Sequence, residues 1–231
     1  MKKIIFLSFL TAPFSYISAQ APVNDDPCKA ILLTAATSCS FSTYSNANAT
    51  ASESVPAPSC ASYLGGDVWF KALVPASGNL VFDSNTGIIT DGGMAIYSGS
   101  CSNLTLIECD DNDSPNGLMP MINKCGLTPG STIWIRFWEY GNDNNGTFSI
   151  CVMDPGQSPV NDDPCTATTL TVTTSCNFST FSNGSCANAS SGVPAPGCAN
   201  YLGGDVWFKV VVPPSGNLFF DSNTLTIMDG C

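Results

Sequence analysis

Only 11% of the 231 residues are charged, well under the ~25% of ordinary soluble domains. The charges are 7 basic against 18 acidic, alongside 12 Cys and no His. Such a surface repels nucleic acid and anionic membranes and attracts cations. The absence of His removes the commonest general base and the commonest zinc ligand.

At the N-terminus, Lys2 and Lys3 precede an apolar stretch over 4–17, and Ser18-Ala19 supplies small residues before Gln20. This predicts a secretory signal peptide over 1–19, too short and wrongly flanked to span a membrane. Its removal leaves 5 basic and 18 acidic residues, a net charge of −13. No other apolar run approaches the ~20 residues of a transmembrane segment. The mature chain is therefore expected to be secreted, extracellular or at the cell surface, with its cysteines in structural disulfides.

A repeat organises the rest. Asn24-Asp25-Asp26-Pro27-Cys28 recurs as Asn161-Asp162-Asp163-Pro164-Cys165, and Val55-Pro56-Ala57-Pro58 as Val193-Pro194-Ala195-Pro196. Residues 63–71 recur without change as 201–209, and 82–86 as 220–224. The offset grows from 137 to 138, so one residue is inserted between. A period this long is a whole domain. The expected division is a first module over 20–155, a linker over 156–160 and a truncated second copy over 161–231, in which nothing matches residues 94–151. This predicts a fragment of a longer tandem array, with the apolar faces of copy two uncovered.

In chain order, strands are expected over 29–34, 67–74, 79–82, 93–97, 104–109, 132–140 and 147–152. Ser-Gly, Asp-Gly-Gly, Pro-Gly and Asn-Asn-Gly separate them, and no window shows a helical apolar period. Many short strands at this spacing predict an all-β antiparallel β-sandwich or jelly roll.

Three stretches are distinctive: Gly66-Asp67-Val68-Trp69-Phe70, the run from Asp91-Gly92-Gly93 to Ser100-Cys101, and Asn145-Gly146-Thr147-Phe148-Ser149-Ile150-Cys151. With Leu104-Thr105-Leu106-Ile107-Glu108-Cys109 they resemble the repeated β-sandwich modules of large exported Bacteroidetes proteins, substrates of type IX secretion. Those modules are similar to bacterial pre-peptidase C-terminal domains and, more loosely, to CUB domains. The resemblance implies a non-catalytic adhesive or accessory module binding an extracellular glycan or protein. The alternative is an accessory domain of a secreted hydrolase whose catalytic part lies elsewhere. Fold analogy alone is a weak guide to activity.

Two constellations suggest binding. Glu108, Asp110, Asp111 and Asp113 form the densest acidic cluster, and Asp91 joins it if its turn lies alongside, as in CUB-like sites. Crowded carboxylates suit calcium, Ca2+, which takes six to eight oxygens in flexible geometry; the alternative is a solvated acidic turn. Asn24-Asp25-Asp26 and Asn142-Asp143-Asn144 are weaker candidates of the same kind. Over 132–140, Ile133, Ile135 and Phe137 alternate with Trp134, Arg136, Trp138 and Tyr140. If the second set faces water, it forms a ligand-binding stripe; the alternatives are that Arg136 stacks between the two Trp rings as a structural ladder, or that a neighbouring loop covers it. Asp67 and Asp205 are expected to cap the preceding Gly-Gly turn; the alternative is that they serve as ligands.

The expected disulfides are Cys101–Cys109, Cys28–Cys151 and Cys39–Cys60, leaving Cys125 over, while Cys186 and Cys231 have no counterpart in copy one. Without His the commonest base for activating a Cys nucleophile is missing, and nothing in the sequence pairs carboxylates such as Asp110 and Glu139 for glycosidase chemistry, so no enzyme activity is expected.

Overall fold

The computed structural model describes residues 20–184, 186–197, 201 and 203–227. The signal peptide expected over 1–19 lies outside the described residues, as do Cys198 and Cys231.

Nine strands build two facing sheets. They are β1 (Ile31–Leu32), β2 (Ser42–Ser45), β3 (Val68–Leu73), β4 (Leu80–Asn85), β5 (Gly92–Ser100), β6 (Asn103–Asp110), β7 (Met121–Lys124), β8 (Thr132–Glu139) and β9 (Thr147–Met153). One sheet runs β1-β3-β8-β5-β6 and the other β2-β9-β4-β7. All neighbours are antiparallel except β1 on β3, where Ile31 faces Phe70 in parallel register. The expected sandwich is thus present. Two strands, β2 and β7, were not expected, and β1 is shorter than 29–34.

Alternation in the strands fills the space between the sheets. Val68, Phe70 and Ala72 of β3, Met94 and Ile96 of β5, and Ile133, Ile135 and Phe137 of β8 meet Leu80, Phe82, Phe148, Ile150 and Val152 opposite. Phe137 and Phe148 stack with ring centroids 3.7 Å apart.

The five-stranded sheet is buried on its outer face as well. The long segment 46–67, which has no strand of its own, lies across it. Val55, Ala61 and Tyr63 from this segment pack with Trp69, Ala95, Tyr97, Trp134 and Trp138 into a second core. Gly93 belongs here because Trp138 and Ala61 fill the position where a Cβ would stand. Disulfides hold this cover down. Cys60 bonds Cys109 on β6, and Cys28 bonds Cys101 at the β5–β6 turn. Cys39 bonds Cys151 on the outer side of the other sheet, and Cys125 bonds Cys186.

These pairings correct all three expected ones. Cys101 sits at the hairpin turn, whereas Cys109 pairs with Ala95, six residues along β6 from Asn103. At ~3.3 Å per extended residue that is about 20 Å, far beyond disulfide reach. Cys28 adjoins the five-stranded sheet and Cys151 belongs to the other, so Cys28–Cys151 would have to cross the sandwich. Cys39–Cys60 fails for the same reason, because Cys60 lies over the outer face of the first sheet.

In the second copy the described strands are β10 (Thr168–Thr169) and β11 (Phe208–Lys209). They pair in parallel, Thr168 with Phe208, repeating the β1–β3 contact at the repeat offset. Val211, Val212, Phe219 and Phe220 are exposed. The described residues contain no helix long and apolar enough to cross a membrane.

Candidate functional site

The aromatic stripe of β8 is not a surface. Trp138 and Arg136 are fully buried and Trp134 nearly so; only Tyr140, just past the strand end, is exposed, at 44%. The side chains do alternate between the two faces, but segment 46–67 excludes water from the outer one. Trp134, Arg136 and Trp138 therefore cannot receive a ligand in this fold.

Their chemistry is internal. Arg136 Nε lies 3.1 Å from Asp67 Oδ2, both side chains being wholly buried. Arg136 Nη2 donates to Asp67 Oδ1 at 3.2 Å, to Ser52 O at 3.3 Å and to the Tyr63 hydroxyl. Asp67 also accepts from the Ser52 amide and hydroxyl, from Tyr63 Oη at 2.6 Å and from Trp69 Nε1 at 2.8 Å. The guanidinium sits 4.0 Å from the Tyr63 ring centroid. Burial alone would lower the Arg136 pKa, but the Asp67 charge and hydrogen bond reverse this and raise it. Burial pushes the Tyr63 hydroxyl well above its usual range, and its bond to Asp67 adds to the shift. Asp67 is thus neither a turn cap nor a metal ligand; it anchors the covering segment to the sheet. Ser52, Tyr63 and Trp69 were missed as its partners. Their recurrence as Ser190, Tyr201 and Trp207 around Asp205 was the available signal, and the same contacts recur there: Tyr201 Oη to Asp205 at 2.7 Å and Ser190 Oγ to Asp205 at 2.7 Å.

The acidic candidates lie at one end of the sandwich and have different roles. Glu108 pairs with Lys124 of β7 at 2.8 Å, on partly exposed side chains. Asp110 Oδ2 accepts the Asp113 amide at 3.1 Å and the Met121 amide at 3.0 Å, shaping the loop that follows β6. Asp91 bridges in parallel to Leu118, and its carbonyl accepts the Tyr140 amide at 3.1 Å. Among the described residues, no three of these five carboxylates converge as ready metal ligands.

What remains is repulsion. Partial burial raises the Asp91 pKa, and the Asp111 charge raises it further. Asp110, chiefly by its charge, raises that of Asp113. A raised folded-state carboxyl pKa favours the fold at low pH, and that contribution is lost as pH rises through it. At neutral pH these side chains therefore oppose folding slightly, a penalty a cation would relieve.

Of the weaker candidates, the Asn24, Asp25, Asp26 and Asn142 side chains already have partners. Both Asp25 oxygens hold Thr50, at 2.6 and 2.8 Å, and Asp26 accepts the Cys28 amide at 2.7 Å. Asn142 accepts from Asn145, while the Asp143 amide donates to Glu139. The accessible rim is therefore Asp91, the loop from Asp111 to Leu118, and Tyr140, with Ile88 and Leu118 exposed nearby in the chain fold.

A search of curated proteins finds no match. Among solved structures, the pre-peptidase C-terminal domain of collagenase from Bacillus anthracis is similar over 53% of this chain and 93% of its own length. Identity is 10% and the TM-score 0.32, a likeness that carries no argument here. The type IX secretion-associated family model described as "Galactose binding domain-like" matches residues 23–150 and again 160–231. Two consecutive matches of one model agree with the internal repeat, and the chain belongs to this family of galactose-binding-like modules associated with type IX secretion.

Proposed function

We propose that the chain is an exported, non-catalytic binding module whose ligand end is the rim of Asp91, Asp111 and Tyr140. In this reading calcium sits among the carboxylates, and an extracellular glycan stacks on the Tyr140 ring. The observation that carries it is the backbone bond from Tyr140 to Asp91, 3.1 Å long, which joins the one exposed aromatic of β8's outer series to the repelling carboxylates. An exposed aromatic face beside a few polar groups is a common feature of a small-ligand site. Family membership supports a carbohydrate ligand, and the association with type IX secretion together with four disulfides supports an extracellular setting.

On a glycan array in millimolar calcium, the mature chain is expected to bind galactose-terminated glycans. Tyr140→Ala should weaken that binding at least about tenfold, the effect of losing a ~1.4 kcal/mol aromatic contact. Its melting temperature should barely move, because the ring is exposed. Retention of no glycan, or equal retention by wild type and variant, would contradict the reading.

A further inference from the structure

The odd cysteine of copy one and the extra cysteine of copy two find each other. Cys125 and Cys186 are bonded, with Cα atoms 5.9 Å apart. Cys186 has no counterpart at the repeat offset in copy one, where Asn48 stands. Around Cys186 the reason is visible in sequence. Asn46-Ala47-Asn48-Ala49 of copy one becomes Asn183-Gly184-Ser185-Cys186-Ala187, so the one inserted residue falls in this turn and the cysteine comes with it. The flanks keep their roles. Asn46 Nδ2 donates to Gly66 O, and Asn183 Nδ2 donates to Gly204 O.

The linker is docked rather than free. Ser77 Oγ donates to Asp154 Oδ1 at 2.7 Å, and Asn79 Nδ2 donates to Gly156 O at 2.8 Å. The same Asn79 accepts the Gly126 amide, and the Leu127 amide donates to Gly78 O. Cys125 therefore leaves from a loop already tied to the turn that holds the linker. On the other side, Gly184 packs close to Pro159 of the linker.

We propose that Cys125–Cys186 is a covalent joint between successive copies, fixing the second module against the first so that the pair moves as one body. Two thiols and one exogenous disulfide oxidant exchange to give the Cys125–Cys186 bond and two reduced thiols of the oxidant, so the joint closes only in an oxidising compartment. The receiving turn is itself repeated. Ser215-Gly216-Asn217 matches Ser77-Gly78-Asn79, and the Asn217 amide donates to Ser215 Oγ as the Asn79 amide does to Ser77 Oγ. The turn is thus a property of the repeating unit, whereas Cys186 and the residue inserted beside it distinguish copy two from copy one.

Two measurements on the mature chain test the joint. Peptide mapping under non-reducing conditions should find Cys125 linked to Cys186. A free Cys125, or one linked to the exposed Cys165 or Cys176, would overturn the proposal. Cys125→Ser with Cys186→Ser should then be cleaved within 154–160 by a broad-specificity protease about tenfold faster than wild type, because local opening of the linker is no longer restrained at both ends. Small-angle scattering should show a broader distance distribution for the variant. Identical cleavage and scattering would mean that the bond forms but does not set the arrangement, which also overturns the proposal.

Discussion

Replacing Arg136 by Met is expected to cost about 3–5 kcal/mol, the usual consequence of leaving a buried charge without its partner. Asp67 would remain wholly buried, with the Ser52, Tyr63 and Trp69 donors around it and no cation. Whole domains are stable by only ~5–15 kcal/mol, so the first module should melt far earlier or fail to fold. Asp67→Asn should be nearly as severe, because it strands the guanidinium. The double replacement, Arg136→Met with Asp67→Asn, should cost less than the sum of the singles, since the charges vanish together. Chemical denaturation of all three variants checks this. Additive losses would mean that the two side chains do not act as a pair.

Removing the Cys39–Cys151 bridge should produce the second large loss. Among the described residues it closes the longest interval of any disulfide, 112 residues, and a loop of ~100 residues restrains the unfolded chain by nearly 5 kcal/mol in the chain-entropy model. Cys39→Ser with Cys151→Ser is therefore expected to destabilise the module by about 3–5 kcal/mol and lower its melting temperature by about 10–20 °C. Differential scanning calorimetry reads the change directly. A shift of only a degree or two would show that the chain before β2 is held to β9 mainly by the ladder from Ser42 to Ser45 and not by the bond.

The strands that were legible in the sequence are those with a strong local signal. Residues 67–74, 93–97 and 132–140 combine β-branched or aromatic residues with clear turns, and β3, β5 and β8 lie there. β2 was not legible, because Ser42-Thr43-Tyr44-Ser45 offers little apolar alternation. It is an edge strand recruited by β9, with Thr43 and Ser149 hydroxyls 3.0 Å apart. The burial of Trp134, Arg136 and Trp138 was illegible for a related reason. Periodicity tells which side chains share a face, but not whether a segment far earlier in the chain, Ser52 lying 84 residues before Arg136, covers that face. The repeat held a clue, because Ser52, Tyr63, Asp67 and Trp69 recur together, as residues in mutual contact do. The disulfides depended on sheet membership. Cys101 and Cys109 are near in sequence and far apart along one strand, whereas Cys60 and Cys109 are distant in sequence and meet where the covering segment crosses β6. The acidic loop was legible as a cluster, but its division of labour was not, since Lys124 and the Met121 amide reach it from β7.

Calcium titration of the isotope-labelled mature chain, followed by NMR and by thermal melting, tests the rim most directly. Extracellular calcium sites of this kind have dissociation constants of about 10⁻⁴ to 10⁻³ M. Ten times that concentration should add roughly 1.4 kcal/mol and raise the melting temperature by a few degrees. The expected shifts fall on Asp91, Asp111, Asp113 and the Tyr140 amide. Magnesium should do less, because it demands octahedral geometry and releases water reluctantly. Asp91→Asn with Asp111→Asn should abolish the response; Asp110 is left alone because its carboxylate shapes the loop. Shifts spread evenly over the acidic surface, with the same melting curve in chelator and in calcium, would contradict the account and leave the loop a solvated acidic turn.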